Sequence, residues 1–239
     1  MNFFRKLEYK LRGFQKNTLT VNSIKRNHQT AIYQYTLTGE WTKYFRRKNK
    51  FTVDYGIDIS EVPEGVLIIP FLANVLPISW LCDAKISVNE IERNFYESID
   101  KFKNGYVAMY PTLSFAGELL ANSIKPYKPL TKTKSAMLFS AGVDSFDTFL
   151  SHRNENPLLI TLWGSDVTFD DNIGWRAMLR RIKYLQDEFG LDSIHIKTNF
   201  RKFIRTSELN HLVKKAAIIG GTAFSMESAY YATQPPSLT

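Results

Sequence analysis

The sequence contains one cysteine, Cys82, among its 239 residues. A single cysteine excludes a disulfide within the chain and any zinc site that needs several cysteines. The four histidines are scattered and have no metal-ligand spacing. We therefore expect no structural zinc, and a reducing cytoplasm is the simplest setting for the protein.

Long apolar runs are also absent. No stretch reaches the roughly 18 apolar residues that a membrane-spanning helix needs. The first residues, MNFFRKLEYKLRGF, lack the apolar segment and the small-residue cleavage site of a secretory signal. We therefore expect no membrane span and no secretion. The hydrophobic content of 44% and the charged content of 23% are ordinary for a globular protein with a buried core.

The excess positive charge lies at the start of the chain. Residues 1–60 contain twelve Lys/Arg and four Asp/Glu, whereas residues 61–239 contain nineteen of each, so the net charge of +8 belongs to the first quarter. Such a region could attract RNA, DNA, an anionic membrane or an acidic protein. It could also be an ordinary solvated basic surface, and the sequence leaves both interpretations open.

The first half of the chain predicts a smaller, basic, β-rich α+β domain over residues 1–121. Residues 30–39 and 50–59 alternate apolar and polar side chains and are rich in β-branched and aromatic residues, which predicts strands. Residues 62–81 form a buried apolar run whose two prolines argue against one long helix. Residues 86–106 predict a helix that Gly105 is placed to end.

Residues 122–134 predict a linker, because they contain two prolines, four lysines and few apolar side chains. Beyond it, residues 135–239 predict alternating strands and helices. The strands are expected at 135–140, 157–163 and 193–198, and the helices at 142–153, 172–189 and 207–226.

These C-terminal strands show no polar alternation, which is typical of βαβ units in a parallel sheet with helices on both faces. The predicted fold class is therefore α/β and Rossmann-like. Only three strands follow the linker, so either residues 30–81 complete the sheet or the chain is truncated or divergent. The prolines in residues 62–81 fit poorly with central strands and favour the second alternative.

The segment Ser140-Ala141-Gly142-Val143-Asp144-Ser145 connects the first of these strands to its helix. Free amides and the helix dipole make such a connection a site for anions. Gly142 is expected to allow close backbone approach and dihedral angles closed to other residues. Ser140 and Ser145 offer hydroxyls to phosphate oxygens, and Asp144 fits beside phosphate if it holds Mg²⁺ or fixes the loop. Alternatively, Asp144 or Ser145 is simply the helix N-cap.

The same six residues are similar to the Ser-Gly-Gly-x-Asp-Ser motif of PP-loop ATP pyrophosphatases. The stretches LFSAGVDSFDTFLSH, LITLWGSDV and IKTNFR most resemble the 7-cyano-7-deazaguanine synthase-like branch, and the resemblance covers roughly residues 135–225. It implies a PP-loop/HUP-like fold and an AMP-forming ligase. Such an enzyme adenylates a carboxyl or carbonyl oxygen of its substrate with release of pyrophosphate, and nitrogen or sulfur transfer follows.

The resemblance also implies a role for each matching residue, with ATP and Mg²⁺ as cofactors. Asp144 would bind the metal, and Asp144 and Ser145 would be catalytic. The residues expected around the ATP phosphates are Ser140, Ala141, Gly142, Val143, Asp144 and Ser145. The backbone expected along the adenine is that of Leu162, Trp163 and Gly164. The residues expected to bind substrate are Asp166, Lys197, Asn199 and Arg201.

Alternatives remain for several of these positions. Asp166 could instead cap a turn, and Lys197 to Arg201 could be an ordinary basic surface loop. The Arg180-Arg181-Lys183 cluster is most simply the solvated face of its helix, and His195 most simply structural.

Three departures from the family pattern bear on function. Ala141 replaces the first glycine of the motif, which is tolerable if its φ is negative. The four-cysteine zinc site of the deazaguanine synthases is missing, and Lys214-Lys215 stands where relatives often have His-Gly. A divergent enzyme is therefore expected, acting on a small molecule or on a macromolecule such as a nucleic acid bound through the basic region. The alternatives are a catalytically impaired nucleotide-binding or interaction module and a tRNA-modifying ligase of the same superfamily.

Overall fold

The computed structural model describes residues 16–46, 50–127, 135–165 and 167–205. The strands are β1 (Thr18–Asn27), β2 (Thr30–Thr38), β3 (Phe51–Asp54), β4 (Lys85–Glu92), β5 (Glu118–Lys125), β6 (Ala136–Leu138), β7 (Leu158–Trp163) and β8 (Ser193–Thr198). The α-helices are α1 (Glu64–Leu67), α2 (Ile69–Leu81), α3 (Arg93–Met109), α4 (Val143–His152), α5 (Asn172–Phe189) and α6 (Phe200–Phe203). Short 3₁₀ helices lie at Glu40–Tyr44 and Arg153–Glu155.

All eight strands form one sheet in the order β5-β4-β1-β2-β3-β8-β7-β6. The pairs β4–β5, β1–β4, β6–β7 and β7–β8 are parallel, and the pairs β1–β2, β2–β3 and β3–β8 are antiparallel. The α/β class is confirmed, with the difference that the complete sheet is mixed. The parallel part expected from the C-terminal pattern is β6–β7–β8, and it continues into the N-terminal strands.

The junction between the two halves is the pairing of β3 with β8. Val53 pairs with Thr198 and Asp54 pairs with Lys197. The residues between 30 and 81 therefore do contribute strands to the sheet, which is the alternative that the prolines disfavoured. The physical reason is that these prolines lie in a helix, α2, and not in a strand.

The apolar run at residues 62–81 folds as two helices that meet at Ile68. Pro70 lies in the first turn of α2, where its missing N–H would have no helical partner in any case. Pro77 lies inside the same helix, one turn before its end. The expectation that the run is not one long helix is right, and the break lies at Ile68, two residues before Pro70.

The helix predicted over residues 86–106 begins later and ends later than expected. Residues 85–92 are β4, in which Ile86 and Val88 are buried on one face. The helix α3 begins at Arg93, because the Glu92 side chain accepts a hydrogen bond from the backbone N–H of Phe95 at 2.7 Å and caps it. Gly105 does not end α3, which continues to Met109. The strand β1 was not predicted.

The predicted C-terminal elements are confirmed at β6, α4, β7, α5 and β8. The α5 helix is capped by Asp171, which accepts from the backbone N–H of Gly174 at 2.8 Å, and closed by Gly190 in the left-handed conformation. Its buried face is formed by Trp175, Met178, Ile182 and Leu185, whereas Ile173 is 76% exposed. Ile173 precedes the buried Trp175 by two residues, which places it about 200° around the helix. The helix predicted at 207–226 lies outside the described residues.

Two cores lie on opposite sides of the C-terminal strands. Along β7, Leu159 belongs to a smaller core with side chains of α4 and α5, and Ile160 belongs to a larger core with side chains of α1, α2 and α3. Since neighbouring residues of a strand point to opposite faces, both faces of the sheet are covered at β7.

The β5 strand extends through Lys125, into the predicted linker. The sheet itself crosses from the predicted N-terminal domain to the predicted C-terminal one through β3 and β8. The exact domain boundaries, at residues 121 and 135, stay predictions. Across the described ranges, no helix combines the length and the apolarity that crossing a membrane requires.

Cys82 provides a test of the packing around α2. It is the C-cap residue of that helix, and its carbonyl accepts a hydrogen bond from the Asn17 side chain at 2.7 Å. Burial raises the pKa of the Cys82 thiol to about 12. We expect iodoacetamide at pH 8 to alkylate the folded protein about a thousand-fold more slowly than the unfolded chain, because only the thiolate reacts. Mass spectrometry of timed samples with and without guanidinium checks this, and equal rates would contradict the packing.

Candidate functional site

The candidate site lies at one edge of the sheet. Because β6, β7 and β8 are parallel, their carboxyl ends meet at the same edge. The segment Ser140–Ser145 follows β6 and opens α4, Gly164 and Ser165 follow β7, and Asn199 follows β8. The structure thus brings the predicted ATP loop and the other predicted segments to one edge. Asp166 lies outside the described residues.

The loop backbone has its unusual conformation at Ala141, where φ is +58°. This left-handed region favours glycine, and a side chain there costs roughly 1–2 kcal/mol. The condition under which alanine would be tolerated easily, a negative φ, is therefore not met. Ala141 is 7% exposed and packs in the smaller core, so its methyl group lies away from solvent.

Gly142 has an ordinary extended conformation, with φ −87° and ψ 171°. A Cβ added there would meet only the Ser140 hydroxyl, at an ordinary contact distance of 3.4 Å. The expectation that Gly142 needs dihedral angles closed to other residues is wrong, because that requirement falls on Ala141. Gly142 is instead the N-cap residue of α4.

The N-terminus of α4 is left uncapped by any side chain of the described residues. The first helical hydrogen bond is donated by the backbone N–H of Phe146 to the Gly142 carbonyl at 3.1 Å. The backbone N–H groups of Val143, Asp144 and Ser145 precede that bond and therefore have no helical acceptor. Neither Asp144 nor Ser145 is the N-cap, so the alternative role for them does not apply.

Two hydroxyls converge on this terminus. The Ser145 hydroxyl donates to the Gly142 carbonyl at 2.8 Å, and the Ser140 hydroxyl oxygen lies 3.4 Å from the Ser145 hydroxyl oxygen. The backbone N–H of Gly142 also points to the Ser140 hydroxyl, at 3.4 Å. The Asp144 side chain is exposed beside them. The loop therefore offers hydroxyls, free amides and one carboxylate to solvent.

Arg181 is a contributor that the sequence did not reveal. Its guanidinium, on α5, donates to the Ala141 carbonyl at 3.4 Å. The guanidinium supports the strained peptide and adds positive charge next to the loop. The expected role of Arg181 as part of a solvated face is incomplete, since nothing in its local sequence indicates the contact with residue 141.

The predicted adenine segment ends in a turn that only glycine fits. Gly164 has φ +100°, and a Cβ there would lie 1.9 Å from the Thr198 carbonyl oxygen. Its backbone N–H donates to the Val167 carbonyl at 2.9 Å. The turn therefore holds the end of β7 against the end of β8.

Trp163 sits in an aromatic cluster at the same edge. Its ring stacks on that of Trp175, with centroids 5.0 Å apart, and meets the Phe169 ring edge-on at 5.6 Å. The ammonium of Lys197 lies 4.6 Å from the centroid of the Trp163 ring. The His195 ring packs edge-on against Trp175 at 5.9 Å, and desolvation lowers the pKa of His195. This cluster was not anticipated from the sequence.

The predicted substrate residues differ in what their side chains do. The Lys197 ammonium is exposed and also lies 5.4 Å from the centroid of the Phe169 ring. The Asn199 amide accepts from the backbone N–H of Thr52 at 2.9 Å and donates to the Lys50 carbonyl, so it joins β3 to the end of β8. Arg201 is exposed on α6. Asn199 therefore has a structural task that the sequence did not indicate.

Asp144 and the two serine hydroxyls are hard oxygen ligands, which suits Mg²⁺. The described residues contain no group of three or more His, Cys, Asp or Glu side chains that could hold a metal by themselves. Mg²⁺ in nucleotide sites commonly has one or two carboxylates and completes its shell with phosphate oxygens and water. A single aspartate beside the loop Ser140–Ser145 therefore fits a metal that would arrive with a nucleotide.

Comparisons of the chain with models of known protein families, with curated proteins and with solved structures give no match. The functional interpretation therefore rests on the residues of the site.

Replacing Gly164 tests the close approach of β7 and β8. We expect Gly164→Ala to lower the free energy of unfolding by at least about 3 kcal/mol, because the new methyl group meets backbone and the positive φ is strained. Gly105→Ala is the matched control, since a Cβ on this α3 residue has nothing within 4 Å. Alanine there should stabilise by about 0.5–1 kcal/mol. Urea unfolding gives the free energy of unfolding of both variants. Equal changes for Gly164→Ala and Gly105→Ala would contradict the close approach of Gly164 to the Thr198 carbonyl.

Replacing Ala141 tests the strain in the loop. Ala141→Gly removes strain of about 1–2 kcal/mol and loses a buried methyl worth about 0.8 kcal/mol, so we expect stability within about 1 kcal/mol of the parent. Ala177→Gly, inside α5, has no strain to remove and should cost about 1–2 kcal/mol. The measurement is the difference between the urea concentrations at which Ala141→Gly and Ala177→Gly are half unfolded. A larger loss at 141 than at 177 would show that the loop is unstrained.

Proposed function

We propose that the loop Ser140–Ser145 binds the phosphates of ATP and that the protein is an ATP pyrophosphatase of the PP-loop type. The observation that carries this proposal is the uncapped N-terminus of α4, where the Ser140 and Ser145 hydroxyls lie beside three amides that have no helical acceptor. It supports the proposal because a phosphate group needs these donors and the helix dipole at one point. The position at the carboxyl edge of parallel strands is the usual one for nucleotides.

The charges around the loop support a phosphate ligand. The Arg181 guanidinium lies against the loop carbonyl of Ala141, and the Lys197 ammonium is exposed at the end of β8. Mg²⁺ bound by Asp144 and by phosphate oxygens would neutralise charge on the leaving pyrophosphate. The buried Ala141 methyl supports binding as well, because it does not project into the space above the loop.

In the proposed reaction, a carboxyl or carbonyl oxygen of the substrate attacks the α-phosphorus of ATP. The bond from that phosphorus to the bridging oxygen breaks, and pyrophosphate leaves with the bond's electron pair. A nitrogen or sulfur nucleophile then attacks the adenylated carbon and displaces AMP. In this chemistry the protein mainly positions groups and neutralises charge, which is the task of the amides of residues 143–145, of Ser140 and Ser145, and of the nearby cations.

The alternative is a nucleotide-binding module without turnover. The engagement of Asn199 in the sheet favours it, since one predicted substrate group is thereby committed to structure. The two functions share the ATP site and differ only in the release of AMP and pyrophosphate.

The test compares two acidic residues of α4. Asp144→Ala should weaken Mg²⁺-dependent ATP binding about tenfold or more, because a charge-assisted contact is worth about 1.5–3 kcal/mol. Asp147→Ala removes an exposed carboxylate from the same helix, further from the loop, and should leave the affinity within about twofold. Ser145→Ala should weaken binding by a smaller factor, because it removes a neutral donor.

Calorimetry with Mg²⁺-ATP measures the affinities, and α-labelled ATP with candidate acids or RNA reports AMP and pyrophosphate. Equal affinities for the Asp144 and Asp147 variants, or no ATP binding by the parent protein, would overturn the proposal. Binding that depends on Asp144 without release of AMP would select the non-catalytic module.

A further inference from the structure

A set of basic residues from both halves of the chain lies at the edge that carries the loop. We call this set the basic edge. Its members are Lys43, Arg46, Lys50, Lys197, Arg201, Lys202 and Arg205. The first three belong to the basic N-terminal quarter, and the others follow or end β8.

Backbone hydrogen bonds hold the two segments of the basic edge side by side. The Arg46 backbone N–H donates to the Phe203 carbonyl at 3.0 Å, and the Arg205 backbone N–H donates to the Tyr44 carbonyl at 2.8 Å. These bonds flank an antiparallel bridge between Phe45 and Ile204. The N-terminal cations are thus fixed next to the C-terminal ones by the fold.

The topology places the basic edge near the phosphate loop. Because β3 runs antiparallel to β8, the start of β3 and the connection before it lie beside the end of β8. The loop Ser140–Ser145 follows β6, which is parallel to β8 with β7 between them. Strands are spaced about 4.8 Å apart, so roughly 10 Å of sheet edge separates the end of β6 from that of β8.

The charge of this surface is mostly positive, although Asp54 lies opposite Lys197 in the sheet and Asp170 pairs with Lys202. Residues 43–46, 50 and 197–205 contain seven Lys/Arg and no Asp/Glu. Six of the seven cations are exposed, and Lys202 is half-buried and pairs with Asp170 at 3.2 Å. Aromatic rings accompany the cations, since the Lys43 ammonium lies 5.1 Å from the Tyr44 ring centroid and those of Lys197 and Lys202 lie 5.4 and 5.5 Å from that of Phe169.

We propose that the basic edge binds the phosphate backbone of a single-stranded nucleic acid and leads it to the loop. Seven cations on two adjacent segments exceed what one small anion can contact, whereas a phosphodiester strand presents a charge at each nucleotide. The Phe169 ring is partly exposed and suits a base that stacks, whereas Tyr44 is buried. Among the described residues, none of the exposed large apolar side chains belongs to residues 43–46, 50 or 197–205, although the exposed Val143 lies in the neighbouring loop.

That the bound strand is the substrate of adenylation is a claim that rests on the proposed function. The claim that the basic edge binds a strand does not depend on it. Asp144→Ala should therefore weaken ATP binding about tenfold or more and leave the affinity for the nucleic acid within about twofold. A parent protein that binds the nucleic acid but does not bind ATP would overturn the proposed function alone. ATP turnover by a protein that fails to bind any strand would overturn the present inference alone.

Binding is measured with the full chain and a fluorescent 20-nucleotide RNA, by anisotropy over a range of salt concentrations. If about five of the seven cations each contact one phosphate, the slope of log affinity against log salt should be about −3.5, at roughly −0.7 per contact for single strands. Arg46→Ala with Arg205→Ala should make the slope shallower by about 1.4 and weaken affinity about tenfold at 100 mM salt.

The matched control is Lys25→Ala with Lys101→Ala, which removes two exposed charges from β1 and α3, away from the basic edge. It should leave affinity within about twofold, and circular dichroism verifies that both double variants are folded. Equal losses in the two double variants, or binding that does not depend on salt, would overturn the inference. Single-stranded DNA and duplex RNA of the same length are the comparison ligands. Tighter binding of the duplex would overturn the single-strand assignment.

Discussion

The antiparallel contact between β3 and β8 is the interaction on which the rest of the architecture depends. Only two residue pairs form it, Val53 with Thr198 and Asp54 with Lys197. The Asn199 amide extends it by bonding the backbone at Lys50 and Thr52. This contact turns a three-stranded parallel unit into one end of an eight-stranded sheet. It also places the larger core against the second face of β7 and β8, which would otherwise be exposed apolar surface.

The loop shows how packing maintains a costly backbone conformation. A left-handed alanine is unfavourable alone, yet the Ala141 methyl is buried in the smaller core and its carbonyl accepts from Arg181. Phe139, the residue before the loop, is fixed as well, because the buried Thr161 hydroxyl donates to the Phe139 carbonyl at 3.0 Å. Contacts worth about 1 kcal/mol each are enough to offset strain of about 1–2 kcal/mol. The fold itself therefore fixes the peptide that opens the loop Ser140–Ser145.

The sequence predicted what local patterns determine. The elements from β6 to β8 have short apolar runs, an aspartate cap and a closing glycine, and each signal lies within its own element. The strand β4 was read as helix because its apolar side chains pass without a break into those of α3, and only the Glu92 cap separates them. The position of the loop between β6 and α4 was predicted. The sequence did not predict the positive φ of Ala141, the hydrogen bond from Arg181 or the hydrogen bonds of Asn199 to β3. The residues that these hydrogen bonds join lie between 40 and 149 positions apart in the sequence.

The basic edge also depends on contacts between residues far apart in the sequence. Lys197 shows how a cation of this edge keeps its charge exposed. Lys202 is partly neutralised by Asp170, whereas the Lys197 ammonium lies over the rings of Trp163 and Phe169. A ring attracts a cation by about 0.5–2 kcal/mol but carries no net charge. A phosphate contact with a charged group is worth about 1.5–3 kcal/mol. The aromatic cluster therefore holds Lys197 in position without cancelling its charge.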